Sequence, residues 1–222
     1  MSQRTVLVTG SNRGIGLEFC RQFQSRGDRV IAVCRTPSAE LVALGVKTIV
    51  GIDVTSERSV ARLSEQLGAD KLSMLVNNAG LLRRSSLDQP NWEQIQAQFE
   101  VNALGPLRVS AALLTSLERG SKIAILTSRM GSMADNGSGG SYGYRMSKAA
   151  VNAAGKSLSV DLRARGIAVG LFHPGYVQTE MTGHAGDVTP EVAASRLMAR
   201  FDVLSLDNTG CFEHANGEEL PW

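Results

Sequence analysis

The chain has 222 residues, 43% hydrophobic and 20% charged, with a formal net charge of +2. That balance is globular and leaves no room for extended disorder; no basic run marks a nucleic-acid partner, and no apolar stretch is long enough to span a bilayer. The length fits one domain over residues 1–222 built around a single sizeable core.

The N-terminus, MSQRTVLVTG, lacks the apolar centre of a signal peptide and runs straight into a β-branched stretch, Arg4 to Val8. Gly14 to Arg26 follows, with Ile15, Phe19 and Phe23 at helical spacing and Gly27 as its stop. Arg29 to Cys34 is a second strand. A short helical segment near residues 38–44 leads to a third strand, Lys47 to Ile52, and then to an amphipathic helix, Ser56 to Gly68. Leu72 to Asn77 is a fourth strand, Asn91 to Leu117 one long helical stretch, and Ser121 to Thr127 a fifth strand. The sequence NGSGGS, Asn136 to Ser141, is a loop, either a plain connection or a border of the active-site mouth. Tyr142 to Arg165 is helical, Ile167 to His173 a sixth strand, Thr189 to Arg200 a last helix, and a short strand lies near Cys211 and Phe212. Near-continuous apolar strands alternating with helices predict a Rossmann-like, doubly wound parallel sheet of about seven strands with helices on both faces. Cys20, Cys34 and Cys211 lie far apart, odd in number and without a CxxC. We expect small buried thiols in a reducing, cytoplasmic setting. His173, His184 and His214 show no metal spacing, so no metal site and no catalytic histidine is expected.

Two motifs carry the chemistry. The first is TGSNRGIG, Thr9 to Gly16, between a strand and a helix, the context that makes a glycine loop a dinucleotide cradle. Gly10 permits the turn, Gly14 lets backbone approach the pyrophosphate, Gly16 lets the helix pack closely, and the positive helix end faces the phosphates. The spacing is GxxxGxG. An NAD site places an acid about 20 residues on, to bond the ribose diol. Here the second strand ends in Cys34–Arg35, and Arg13 stands inside the loop. Two guanidinium forks converging there suit a 2′-phosphate, which predicts NADP(H). Asp53, in GIDVT, either bonds the adenine amino group or caps a helix.

The second motif is YRMSK, Tyr144 to Lys148, with Ser128 sixteen residues before the tyrosine. A carbonyl that accepts hydride needs a proton on its oxygen. A phenol can supply it once its ordinary value near 10 is lowered. Lys148 is one helical turn away on the same face, and its ammonium, with the positive nicotinamide of oxidised cofactor, would stabilise phenolate. Tyr142, six residues from Lys148, points elsewhere. The Ser128 hydroxyl would hold the substrate carbonyl beside the phenol, with Ser132 as the fallback serine.

These residues resemble the short-chain dehydrogenase/reductase family over nearly the whole chain. The resemblance rests on TGSNRGIG, Asp53, NNAG at Asn77–Gly80, Asn102 in VNALG, Ser128, YRMSK and HPGYVQT at His173–Thr179. It implies a catalytic tetrad of Asn102, Ser128, Tyr144 and Lys148, with Asn102 positioning a proton-relay water. It also implies a cofactor-binding set: Gly10, Ser11, Asn12, Arg13, Gly14, Ile15 and Gly16, then Arg35, Asp53, Val54, Asn78, Ala79 and Gly80. Pro174, Gly175, Val177 and Thr179 would embrace the nicotinamide, beside Tyr144 and Lys148. The subgroup it is most similar to is the C-factor and sniffer-type carbonyl reductases, from GSNRGIGLEF, YGYRMSKAAVN, FHPGYVQT and GEELPW. The expected activity is NADPH-dependent reduction of an aldehyde, ketone or quinone. The alternative is a C-factor-like signalling protein that binds the nucleotide without depending on turnover. The expected partners are a small-molecule carbonyl substrate and, by family resemblance, further copies of the chain in a homodimer or homotetramer joined through Asn91–Leu117 and Tyr142–Arg165, with a monomer as the alternative that carbonyl-reducing members of the family offer. Only about ten residues separate Thr179 from the last helix, which predicts a short lid, an open pocket and modest discrimination among substrates.

Overall fold

A computed structural model describes residues 3–222. The strands are β1 (Thr5–Thr9), β2 (Arg29–Val33), β3 (Lys47–Ile49), β4 (Leu72–Asn77), β5 (Leu117–Leu126), β6 (Ala168–His173) and β7 (Phe212–His214). They form one sheet in the order β3-β2-β1-β4-β5-β6-β7, every neighbouring pair parallel. The helices between them are α1 (Gly14–Ser25), α2 (Ala39–Ala43), α3 (Glu57–Leu67), α4 (Trp92–Phe99), α5 (Gly105–Ala112), α6 (Tyr142–Asp161) and α7 (Pro190–Val203). The strand order reverses direction between β1 and β4. In such sheets the crevice at the carboxyl ends of those strands is where a ligand sits.

Alternation along each strand splits the core into two layers. From β1, Val6 and Val8 face α1 and α7, where Phe19, Phe23 and Phe201 are fully buried. Phe201 packs on Phe172 edge-on at 5.1 Å and on Phe19 at 5.5 Å. Leu7 faces the other way, with Ile31, Leu75 and Ile123, against Leu63 of α3 and Val151 of α6. Each such fully buried side chain contributes about 1.5–3 kcal/mol, and the two layers hold the sheet flat-sided beneath the crevice. Among the described residues no helix is long and apolar enough to cross a membrane.

The structure departs from the expected elements in three places. The stretch Asn91–Leu117 is not one helix. It is α4, a π-helical turn over Glu100–Leu104, and α5. Pro106 has no N–H to continue the ladder, and Leu117 has left the helix to pair with Leu72 in the sheet, where it is buried. Strand β5 accordingly begins earlier than Ser121. Its register jumps between the Leu72–Leu117 and Met74–Lys122 pairs, with Gly120 at φ +91° taking up the extra residues. Strand β3 stops at Ile49 because Gly51, at φ +72°, turns the chain.

Candidate active site

The loop after β1 is built around two glycines. At Gly10, φ is +66°, and an added Cβ would stand 2.8 Å from the Ala79 backbone. At Gly16 a Cβ would strike the Gly10 carbonyl and the Asn78 amide; the close packing there is against the loop itself rather than the sheet. Thr9 and Asn78 lace the loops together. The Thr9 hydroxyl oxygen accepts from the backbone N–H groups of Asn78 and Ala79, both at 3.1 Å. The Asn78 side-chain N–H donates to the carbonyls of Thr9, at 2.9 Å, and Gly10, at 3.1 Å. Thr9 lies inside the sequence motif, but only the fold reveals that it is the clamp.

These loops open onto a cleft of about 690 Å³. Gly10, Asn12, Arg13, Gly14, Ile15, Gly16, Arg35, Asp53, Val54, Asn78, Ala79, Gly80, Pro174 and Thr179 line it, and so do Tyr144 and Lys148. Fourteen residues expected to hold the cofactor and both members of the Tyr–Lys pair thus converge from five strand ends. Three others of the expected set lie behind the wall. Ser11 is fully buried, its hydroxyl donating to the Val33 carbonyl at 2.9 Å. Gly175 lies against His214, and Val177 is buried in a bridge to Val188.

Arg13 and Arg35, with Asn12 and Thr36, surround a second depression that adjoins the cleft. Arg13 is held by an ion pair with Glu180, which the sequence did not point to. Both hydrogen bonds on the Asp53 side chain fall on Oδ1, from the Thr55 backbone and hydroxyl. Burial pushes the Asp53 carboxyl up, but these bonds and nearby Arg35 more than offset it, so it lies below its ordinary value. The cap of α3 is Ser56, so Asp53 is not a helix cap.

At the other end, Tyr144 and Lys148 share one face of α6, with the Lys148 ammonium 5.8 Å from the centre of the Tyr144 ring. Lys148 is buried and donates to the Leu126 carbonyl at 2.8 Å. Burial lowers it to about 8. Burial pushes Tyr144 up to about 12, with Ser128 pulling weakly the other way. Burial strips away the water that would solvate a phenolate, and that raises a phenol. Ser128 stands beside the phenol. Ser132 does not serve as its substitute: its hydroxyl accepts from the Asp135 N–H at 3.0 Å and donates to the Trp222 carbonyl at 3.3 Å. Tyr142 is exposed, off the cleft.

Asn102 is fully buried in the π-helical turn. Its Oδ1 accepts from the Leu81 N–H, and its Nδ2 donates to the Leu81 carbonyl, both at 2.7 Å, and to the Ser147 hydroxyl at 3.0 Å. The side chain therefore pins the segment after NNAG to the tyrosine helix, a task no local motif announces. Buried Gln98, one turn away, ties the same segment to α4: it accepts from the Arg83 N–H at 2.8 Å and donates to the Gln94 carbonyl at 3.2 Å. The loop at residues 136–141 does not line the cleft; Ser141 donates its N–H to the Ser85 carbonyl at 3.1 Å. The segment after Thr179 is short, as expected. It makes one 3-10 turn, Glu180–Thr182, and sets Met181 and His184 against the cleft. His173 packs edge-on against His214 at 5.0 Å. Burial first, then His214, Arg129 and Lys148, hold it neutral, near 3.

With this geometry in place, comparison with known proteins is direct. The family model for short chain dehydrogenases matches residues 4–189. The chain is 41% identical over 224 residues, 98% of this chain and 99% of the other, to 1-hydroxy-2-glutathionyl-2-methyl-3-butene dehydrogenase of Rhodococcus sp.. It is 41% identical over 154 residues, 68% of this chain and 93% of the other, to C-signal of Myxococcus xanthus. Among solved structures, NADPH-bound carbonyl reductase from chicken fatty liver superposes with a TM-score of 0.90 at 28% identity, both chains covered in full.

Proposed function

From the premise that this chain belongs to the short-chain dehydrogenase family, we propose that it reduces a small-molecule carbonyl to an alcohol with NADPH. The observation that carries this reading is one continuous cleft with Tyr144 and Lys148 at one end and Arg13 and Arg35 at the other. The glycine cradle fits a dinucleotide: Gly14, at φ +54°, and Thr179 both line the cleft, and a Cβ on Gly14 would stand 3.3 Å from the Thr179 side chain, narrowing it. The tip of β2 carries Arg35 where an NAD site carries an acid, and two guanidinium forks match the oxygens of a 2′-phosphate. The chicken carbonyl reductase holds NADPH, which supports the same choice here.

Bound there, the reduced nicotinamide supplies the hydride. The chain's own residues supply the rest. The Tyr144 hydroxyl donates its proton to the substrate oxygen as the carbonyl carbon gains hydride, and the phenolate left behind recovers a proton from solvent. A phenol near 12 is protonated at neutral pH, so the proton is there to give. Lys148, still cationic below about 8, faces that phenolate as it forms and stabilises it when the charge appears. Ser128 orients the substrate oxygen. Asn102 holds the Leu81 segment and α6 in register. Replacing Tyr144 by Phe removes the acid, and loss of a positioned acid lowers the rate roughly 10²- to 10⁴-fold. We expect that loss in kcat with NADPH affinity retained. Wild-type turnover by the variant refutes the assignment.

A second reading, signalling without dependence on turnover, is favoured by the 41% identity to C-signal. A panel of aldehydes, ketones and quinones separates the two. NADPH that binds but is oxidised by none of them favours signalling.

A further inference from the structure

We propose that Arg83 is a recognition point for a carboxylate carried by the substrate, so that this chain prefers acidic carbonyl compounds over their neutral analogues. The inference rests on the reductase reading above and names the class of substrate it takes.

Arg83 lines the same cleft as Tyr144, and the hydrogen-bond pattern places it at the reacting end. Its N–H donates to buried Gln98 at 2.8 Å. The side-chain nitrogen of that same Gln98 is 2.6 Å from where a Cβ on Gly143 would stand, one residue before Tyr144. Two residues earlier, Leu81 is held at both its N–H and its carbonyl by Asn102, 2.7 Å each. The backbone over residues 81–83 is therefore held at both ends, by Asn102, which also bonds Ser147 of the tyrosine helix, and by Gln98 of α4, which packs beside Gly143. A side chain on so rigid a base loses less freedom when it engages a ligand.

The guanidinium itself is available. It is exposed, and its one protein hydrogen bond is to the Leu82 carbonyl at 3.0 Å. Among the described residues no carboxylate pairs with it. The two carboxylates that line the cleft are elsewhere: Asp53 lies near Arg35, and Glu180 is paired with Arg13. The cleft is thus divided by charge. Its cofactor end mixes arginines with acids, whereas its reacting end offers Arg83 and Lys148 with no acid lining it. A planar fork binds a planar carboxylate through two parallel N–H···O bonds. A carboxylate a few bonds from the carbonyl can take that position while the carbonyl oxygen faces Tyr144.

The test uses the holoenzyme and two pairs of compounds. The reactive pair is 4-formylbenzoate and its methyl ester; the unreactive pair is 4-methylbenzoate and 4-methylbenzamide. We expect the wild type to favour the acid in kcat/KM, chiefly through KM, and to bind the unreactive acid more tightly than the amide. In Arg83→Gln the acid-to-ester ratio of kcat/KM falls about tenfold or more, as for loss of a charge-assisted hydrogen bond, and the preference for the unreactive acid disappears. Arg83→Lys, which keeps charge but not the fork, falls between. Added salt weakens the preference in the wild type and not in Arg83→Gln. An acid-to-ester ratio unchanged by Arg83→Gln, or a wild type with no preference for either acid, overturns the proposal. Binding of the unreactive acid that depends on Arg83, without turnover of any carbonyl, upholds the site and overturns the reductase reading.

Discussion

Gly131→Ala tests how the serine is held against the tyrosine helix. Gly131 sits in the 3-10 turn that follows Ser128 and donates its N–H to the Ser128 carbonyl at 2.8 Å. An added Cβ would stand 2.8 Å from the Lys148 carbonyl carbon, 2.9 Å from its oxygen and 3.0 Å from its Cβ. Carbon atoms rest at about 3.5 Å or more, so the turn and α6 must separate by about 0.7 Å. Two of the three obstructing atoms are backbone, and no rotamer change clears them. The shift passes to Ser128 through the turn's own hydrogen bond. Overpacking of this kind costs about 1–3 kcal/mol of stability. A 1 Å misplacement at a reacting centre lowers the rate by about 10²-fold, so this shift predicts a fall in kcat/KM of roughly tenfold to thirtyfold. The assay is steady-state NADPH oxidation with a reducible aldehyde, beside urea unfolding and the NADPH dissociation constant. Affinity for NADPH should hold, because Gly131 is not in the cleft wall. A variant destabilised as expected that turns over at the wild-type rate refutes the idea that this contact sets the Ser128 position.

Arg35→Ala removes one of the two forks at the second depression. The dissociation constant for NADPH should rise tenfold or more and that for NADH little; equal losses for both count against a 2′-phosphate site. Glu180→Gln frees Arg13 from its ion pair. Both partners are exposed, so the gain in NADPH affinity should be no more than about fivefold, and weaker binding would show that Glu180 helps rather than competes. His173 is lowered from 6.5 to about 3. As pH falls from 6.5 toward 3, the unfolded chain takes up a proton that the folded one refuses. The stability due to neutral His173 is therefore complete above 6.5 and drains across that window. Urea melts across this range should show a shallower acid loss in His173→Gln than in the wild type, and parallel profiles contradict the sign.

Much of the site was legible because its pieces are local. The glycine loop, the Tyr144–Lys148 turn of helix and the strand-end Asp53 each depend on neighbours within a few residues, where spacing dictates geometry. The alternation of apolar strands and helices foretold the parallel sheet for the same reason. What escaped reading depends on contacts distant in sequence. Leu117 looked helical until Leu72 claimed it for the sheet, and Pro106 divides a stretch whose periodicity alone suggested one rod. Ser11 belongs to the motif by position, yet its hydroxyl turns inward to Val33. The burial that pushes the Tyr144 phenol up was not legible either, since no sequence offset encodes how much water a wall of five strand ends excludes.

The amino-acid order by itself therefore determined the layered α/β architecture, the cradle for a dinucleotide, the arginines in place of an acid, and the Tyr–Lys pairing on one helical face. The tertiary structure alone decided that Ser132 is turned to Asp135 and Trp222, and that Asn102 and Gln98 hold the Leu81–Arg83 segment. It also decided how deeply Tyr144 and Lys148 are buried, which pushes the phenol up and the ammonium down. The reason is physical: helix pitch and strand pleat act over a handful of residues, whereas desolvation and side-chain clamps arise only when segments 15 to 90 residues apart are brought into contact.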